Sequence, residues 1–119
     1  MKYIHFILIT FSLIVILKCQ KEITVSCTDS PKTLKLLDSQ SFIASCPQNC
    51  GGGLLWGTDI YTTDSAICKA GLHTGLLDRE KGGSLKVTLL PGQNSYSGKE
   101  RNGVKSSDWG SYSSSFKLE

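Results

Sequence analysis

Four of the five cysteines in a chain of 119 residues lie after an apolar leader, and they constrain this sequence more than any other feature. Lys2 precedes a mostly apolar run over residues 4–17. That run is about 14 residues, enough for the core of a secretory signal and short of the ~20 that span a bilayer. The reading is a signal peptide over residues 1–19, cleaved after Cys19 to expose Gln20. A lipid anchor on Cys19 is disfavoured, because Lys18 is not the small residue that such a site needs. No later run is long enough to cross a membrane. The expected location is secreted, extracellular or in the lumen of the secretory pathway.

Cleavage leaves Cys27, Cys46, Cys50 and Cys68. An even number in a short secreted chain reads as two disulfides. Four cysteines allow three pairings, and spacing alone does not choose among them. Sequential pairing would close loops of about 20 residues, each contributing on the order of 3 kcal/mol by restricting the unfolded chain. A zinc set of Cys46, Cys50, Cys68 and His73 is the competing use. Secretion favours oxidation over thiolate ligation. Cys68 and His73, five apart on an expected helix, also point about 140° apart. No metal or cofactor is therefore expected.

Charge excludes another class. The chain has 13 basic and 10 acidic residues. Lys2 and Lys18 leave with the signal, so the mature balance is 11 against 10, a formal charge of +1. A near-neutral domain has no electrostatic case for nucleic acid. No Asn-x-Ser/Thr acceptor follows Asn49, Asn94 or Asn102.

Residue patterns along the mature chain predict antiparallel β around one helix, an α+β domain. Residues 23–27 and 41–46 read as strands, and residues 54–61 as extended. Leu85, Val87 and Leu89 alternate with Lys86 and Thr88 as a half-buried strand, ended by Pro91-Gly92. Tyr112, Ser114, Phe116 and Leu118 alternate as the last strand. Asn102-Gly103 is a turn signal. The helix is expected over residues 65–74, with Asp64 or Thr63 as N-cap and Gly75 as its stop. Ile67, Cys68, Gly71 and Leu72 share one face. A catalytic set drawn from Asp59, Asp64, His73 and Ser65 is not supported, since no nucleophile–base–orienter arrangement emerges. Asp64 is explained as a cap, and His73 as a helix-end or hydrogen-bonded core residue. The chain is read as a non-enzyme.

The motifs Cys46-Pro47 to Cys50, Trp56-Gly57-Thr58-Asp59-Ile60-Tyr61, Asp64-Ser65 and Ile67-Cys68-Lys69-Ala70 resemble the LCCL domain family. His73 with Gly75, Gly83, Pro91-Gly92, Tyr96, Arg101-Asn102-Gly103-Val104, Ser106 and Ser115-Phe116 continue the match in the family's order. The resemblance implies an LCCL domain over residues 23–119, with a central helix wrapped by two antiparallel sheets. It also implies the pairing Cys27–Cys46 and Cys50–Cys68, the second pinning the helix. Gly71 departs from the family's usual alanine, and a glycine inside a helix costs about 1 kcal/mol relative to alanine, so a looser helix is expected.

The function that the resemblance implies is a binding module for microbial glycolipid or polysaccharide, lipopolysaccharide-like. Candidate contacts are Lys99, Arg101, Lys105 and Trp109, with Tyr96 beside them. Arginine suits phosphate, and aromatic faces suit sugar rings. Each has a plain structural alternative: Trp109 as a core aromatic, Arg101 as part of a turn. The competing reading is a structural or protein-interaction module of an extracellular matrix, secretory granule or cell-surface complex. A cationic patch would favour the first, an exposed apolar patch the second.

Overall fold

A computed structural model describes residues 20–119, so the expected signal over residues 1–19 lies outside the described residues. The chain order is β1 (Glu22–Thr24), β2 (Ser41–Cys46), β3 (Gly57–Thr58), β4 (Ile60–Thr62), α1 (Ile67–Thr74), β5 (Gly83–Gln93), β6 (Glu100–Arg101), β7 (Val104–Lys105) and β8 (Tyr112–Leu118). One helix and two sheets make the expected α+β fold. The larger sheet has the order β1-β2-β5-β8-β4-β3, and β6-β7 form a separate hairpin. Pairing is antiparallel except at one edge, where β1 runs parallel to β2 with Thr24 opposite Ser45. Among the described residues no helix is long and apolar enough to cross a membrane.

Alternation sets the core. Phe42, Ala44 and Cys46 on β2, Leu85 and Val87 on β5, and Phe116 on β8 are all buried. They pack with Ile67, Cys68, Ala70 and Leu72 of α1. The helix is nearly engulfed, because Gly71 and His73 are buried too.

Strand β5 runs through the predicted Pro91-Gly92 stop to Gln93 and pairs with β8 as far as Gln93–Tyr112. The Leu89 N–H donates to Gln40 O, so amide nitrogens two apart face the β2 side. The Pro91 nitrogen faces that side as well, past the end of β2, where no ladder bond is lost. A Cβ on Gly92 would collide with the Tyr112 carbonyl, so β8 approaches there because the residue is glycine.

The helix also differs from expectation at its start. It begins at Ile67, and Ala66 is its N-cap without a side-chain cap bond. Neither Asp64 nor Thr63 caps it. The Ala66 N–H donates to Leu54 O at 2.8 Å and the Ile67 N–H to Asp29 O at 2.9 Å, so neighbouring carbonyls do the work of a cap. Thr63 instead pairs its hydroxyl with that of Ser114 at 2.6 Å. Gly75 stops the helix as expected, in the left-handed region at φ 81°.

Gly71 is not a loosening. A Cβ there would lie 2.5 Å from Leu85 Cδ1 and 3.1 Å from Leu77 Cβ. Glycine lets β5 and the Leu77 segment close on the helix.

The disulfides overturn the sequential pairing. Cys27 bonds Cys50 and Cys46 bonds Cys68, with Cα separations of 5.2 and 5.8 Å. The reason is facial. Cys46 is the third inward residue of β2 after Phe42 and Ala44, so it meets Cys68 in the first turn of the helix on that face. The chain then reverses at Asn49, φ 61°, and brings Cys50 back to Cys27. Cys27 follows β1, whose parallel run beside β2 puts it at the same end of the sheet.

Candidate functional site

The predicted ligand contacts lie around the β6–β7 hairpin and the segment after it. Asn102 and Gly103 both have positive φ, 51° and 73°, the conformation that a tight two-residue hairpin demands. Glu100 then sits opposite Lys105. At the hairpin base, the Lys99 N–H donates to Ser106 Oγ at 2.9 Å, and the Ser106 N–H returns to Lys99 O at 2.9 Å. The result is a shallow groove of about 310 Å³ whose walls include Lys99, Glu100, Lys105, Ser106 and Asp108. The structure thus brings Lys99 and Lys105 together. It also places two carboxylates with them, so the groove is charge-balanced rather than cationic.

Arg101 does not join that groove. Its Nη1 lies 2.8 Å from Asp59 Oδ1, and its side chain is only 34% exposed. Asp59 is the apex of the β3–β4 hairpin, where Thr58 faces Ile60 and the backbone takes φ 65°. Asp59 is thus a turn residue with a second role as counter-ion to Arg101.

The two aromatic candidates part company. Tyr96 is buried: its hydroxyl accepts from the Gln93 N–H at 3.0 Å and donates to Tyr112 O at 3.4 Å. It is a strut of the fold. Trp109 is 49% exposed, against its reading as a core aromatic. Its ring lies 5.7 Å from that of Trp56 at a 59° tilt. Backbone bonds fix both: Tyr96 and Trp109 exchange N–H···O bonds of 2.8 and 3.0 Å, and the Trp56 strand is tied to Ser107 through Leu55 O and the Gly57 N–H. Leu54, two residues before Trp56, is 63% exposed.

Beneath the hairpin is a buried polar chain. His73 is fully buried, with Nε2 3.0 Å from Lys99 O and Nδ1 2.7 Å from the Tyr61 hydroxyl. A carbonyl only accepts, so Nε2 donates to Lys99 and Tyr61 donates to Nδ1. Burial pushes the Tyr61 phenol up to about 12, with smaller opposed influences from Asp59 and Arg101. His73 is therefore the hydrogen-bonded core residue of the two options the sequence left open. Asn102 Nδ2 donates to His73 O at 2.9 Å, a second tie between helix end and hairpin.

The imagined catalytic residues are dispersed among other partners. Asp59 pairs with Arg101, His73 with Tyr61 and Lys99, and Ser65 Oγ receives the Trp56 N–H at 3.0 Å. Asp64 Oδ1 is buried with no hydrogen-bond partner among the described residues. All four sulfurs of the zinc alternative's cysteines and their mates are consumed in disulfides. A second depression of about 380 Å³ lies at the helix C-terminus, between Leu72, Leu76, Arg79 and Asn102. None of the sequence-predicted ligand contacts lines it.

Sequence reasoning missed Trp56 as the partner of Trp109, and Asp59 as the partner of Arg101. The first had a faint signal. Exposed Leu54 and half-covered Trp56 flank buried Leu55, a period-two pattern that turns Trp56 outward. The second, between residues 42 apart, had none.

The family model described as "LCCL domain" matches residues 17–116. Human vitrin is 39% identical over 77 residues, covering 63% of this chain and 11% of vitrin. Clotting factor C of Tachypleus tridentatus is 34% identical over 76 residues, 62% of this chain and 7% of that protein. Human cochlin is 34% identical over 73 residues, 56% of this chain and 13% of cochlin. The chain thus spans roughly a tenth of the length of these relatives. With the fold, the paired cysteines and a match over most of its length, this chain belongs to the LCCL domain family.

Proposed function

We propose that this LCCL domain is a secreted, non-enzymatic binding module that recognises microbial glycolipid or polysaccharide, lipopolysaccharide-like in kind. The observation that carries the reading is the half-exposed Trp109, held against Trp56 beside the Lys99–Asp108 groove. Large aromatics are usually well covered, and one kept rigidly at the surface is a contact in waiting. Two disulfides fit the oxidising compartment in which such a ligand is met. The polar side chains with catalytic chemistry serve as struts and ion-pair partners, which supports a binding role.

The test is saturable binding of the secreted, oxidised protein to immobilised lipopolysaccharide and bacterial polysaccharides. Absence of binding across the set, with both disulfides verified, sinks the reading. Exposed Leu54 and Leu76 favour a second one, a structural or protein-interaction module in a matrix, granule or cell-surface complex. Cross-linking in conditioned medium that captures one protein at stoichiometric yield would establish it instead.

A further inference from the structure

We infer that the ligand part bound at this surface is a neutral sugar ring of a polysaccharide chain, stacked on the Trp109–Trp56 pair, and that the cations nearby are not its anchors. The inference rests on the glycan-recognition reading above and names the chemistry of its contact.

Charge decides first. A phosphate-bearing headgroup needs uncompensated cations, and each of those on this face shares it with a carboxylate. Arg101 is spent on Asp59 at 2.8 Å. Lys105 stands opposite Glu100 on the hairpin, and Asp108 shares the groove with Lys99. Such a surface offers a dianion little net attraction.

Shape decides next. A ring pair tilted by 59° with centroids 5.7 Å apart is not a parallel stack, so neither ring fully covers the other. The flat apolar face of a pyranose fits an uncovered indole face, and its hydroxyls need polar groups at the rim. Asp108 supplies one: its Oδ1 receives the Gly98 N–H at 2.6 Å, and Oδ2 makes no bond among the described residues. Exposed Ser107 is the next.

Rigidity decides last. Both tryptophans sit on backbone held by paired bonds, Trp109 to Tyr96 and the Trp56 strand to Ser107. Trp56 is tied again by its N–H to Ser65 Oγ. A platform already ordered loses little entropy on binding.

The two tryptophans are the only ones in the chain, so intrinsic fluorescence reports this pair alone. The experiment titrates the secreted protein with phosphate-free, delipidated O-polysaccharide and, separately, with lipopolysaccharide lacking the O-chain, each at low and high salt. The expected result is a saturable change in emission with the O-polysaccharide, unaffected by salt. Trp109→Leu should weaken that binding about tenfold or more, while Trp109→Phe, which keeps a ring, retains more of it. Unchanged melting of both variants shows that the fold is intact; binding of the variants is followed by calorimetry. Binding confined to the O-chain-free form, abolished by salt and indifferent to Trp109→Leu, overturns this inference and leaves glycolipid recognition standing. Equal affinity of the Leu and Phe variants for the polysaccharide also overturns it, since an apolar contact of any shape would then suffice. Failure of every ligand to bind overturns both.

Discussion

The two ends of helix α1 are held by different chemistry. At the first turn, Cys68 is bonded covalently to the end of β2, and the carbonyls of Leu54 and Asp29 take the leading N–H groups. At the last turn there is no covalent tie. His73 reaches Tyr61 on one side and the Lys99 carbonyl on the other, while Asn102 donates to the His73 carbonyl. The first end is anchored to the sheet, and the second to the hairpin that carries the groove. Damage at the first end should therefore appear in global stability, whereas damage at the second should reach the candidate ligand face as well.

The largest effect is expected at the covalent end. Cys68→Ser opens the Cys46–Cys68 bridge and strands Cys46 as a thiol in the core. Loss of a native disulfide from a domain this small costs about 2–5 kcal/mol. A sharp fall in melting temperature and reduced secretion should follow, and dithiothreitol should reproduce the fall in the native protein. Peptide mapping without reduction should recover Cys27 linked to Cys50 and Cys46 linked to Cys68. Recovery of Cys27 linked to Cys46 would break the comparison at its root, because the anchor of the first turn would then lie elsewhere.

Tyr61→Phe probes the other end. It leaves His73 Nδ1 buried without a donor, at about 1–3 kcal/mol. Alkali gives an independent reading of how deeply the same phenol is buried. The Tyr61 phenol is held up to about 12 by burial, against 10.0 when unperturbed. The fold keeps that proton where the unfolded chain loses it. The resulting contribution is full below pH 10 and disappears as pH climbs through 12. The stability gap between the native chain and Tyr61→Phe should therefore narrow from pH 10 to 12, as followed by urea unfolding. A constant gap would mean that burial does not hold the Tyr61 phenol protonated in the fold.

The middle of the helix shows how far sequence could be read. The pattern at Ile67, Cys68 and Leu72 announces a buried helix, and Gly75 announces its end, because local periodicity and a positive φ are local properties. Gly71 is legible as a departure from the family, but not as a benefit, since its value lies in Leu85 and Leu77 approaching from elsewhere in the chain. Gly71→Ala should raise helix propensity yet destabilise the fold by about 1 kcal/mol through overpacking. Adding Leu85→Val should return part of that loss, a coupling that a double-mutant cycle measures. If the single variant proves more stable, the helix is loose after all.

The same limit governed the cysteines and the site. The four cysteine positions, the α+β class and the Asn102-Gly103 turn were readable, because each is written in a short stretch. The pairing was not: the two native bridges enclose sequence separations of 23 and 22, much like the loops of the sequential alternative. What chose between them was the inward face of Cys46 on β2. Among the ligand candidates, residue type was a fair guide to exposure for Lys99 and Lys105 and a poor one for Tyr96 and Trp109. Tyr96 and Trp109 pair in register with the Asn102-Gly103 hairpin, so their pairing follows from a readable turn, but which ring is covered depends on Gln93, Tyr112 and Trp56 packing from outside it.

The smallest effect is expected at Arg101, and it sharpens the contrast most. Arg101→Ala removes an exposed-side ion pair with Asp59, worth about 0.2–1 kcal/mol. The hairpin keeps its Asn102 and Lys99 ties to the helix, so melting should move little. The tryptophan pair is left untouched, so binding of neutral polysaccharide should stay within about twofold of the native value, a few tenths of a kcal/mol. A tenfold loss from Arg101→Ala, restored by Arg101→Lys, would transfer the site from the indole faces to the cation. The hairpin, not the tryptophan pair, would then be what the second end of the helix exists to hold.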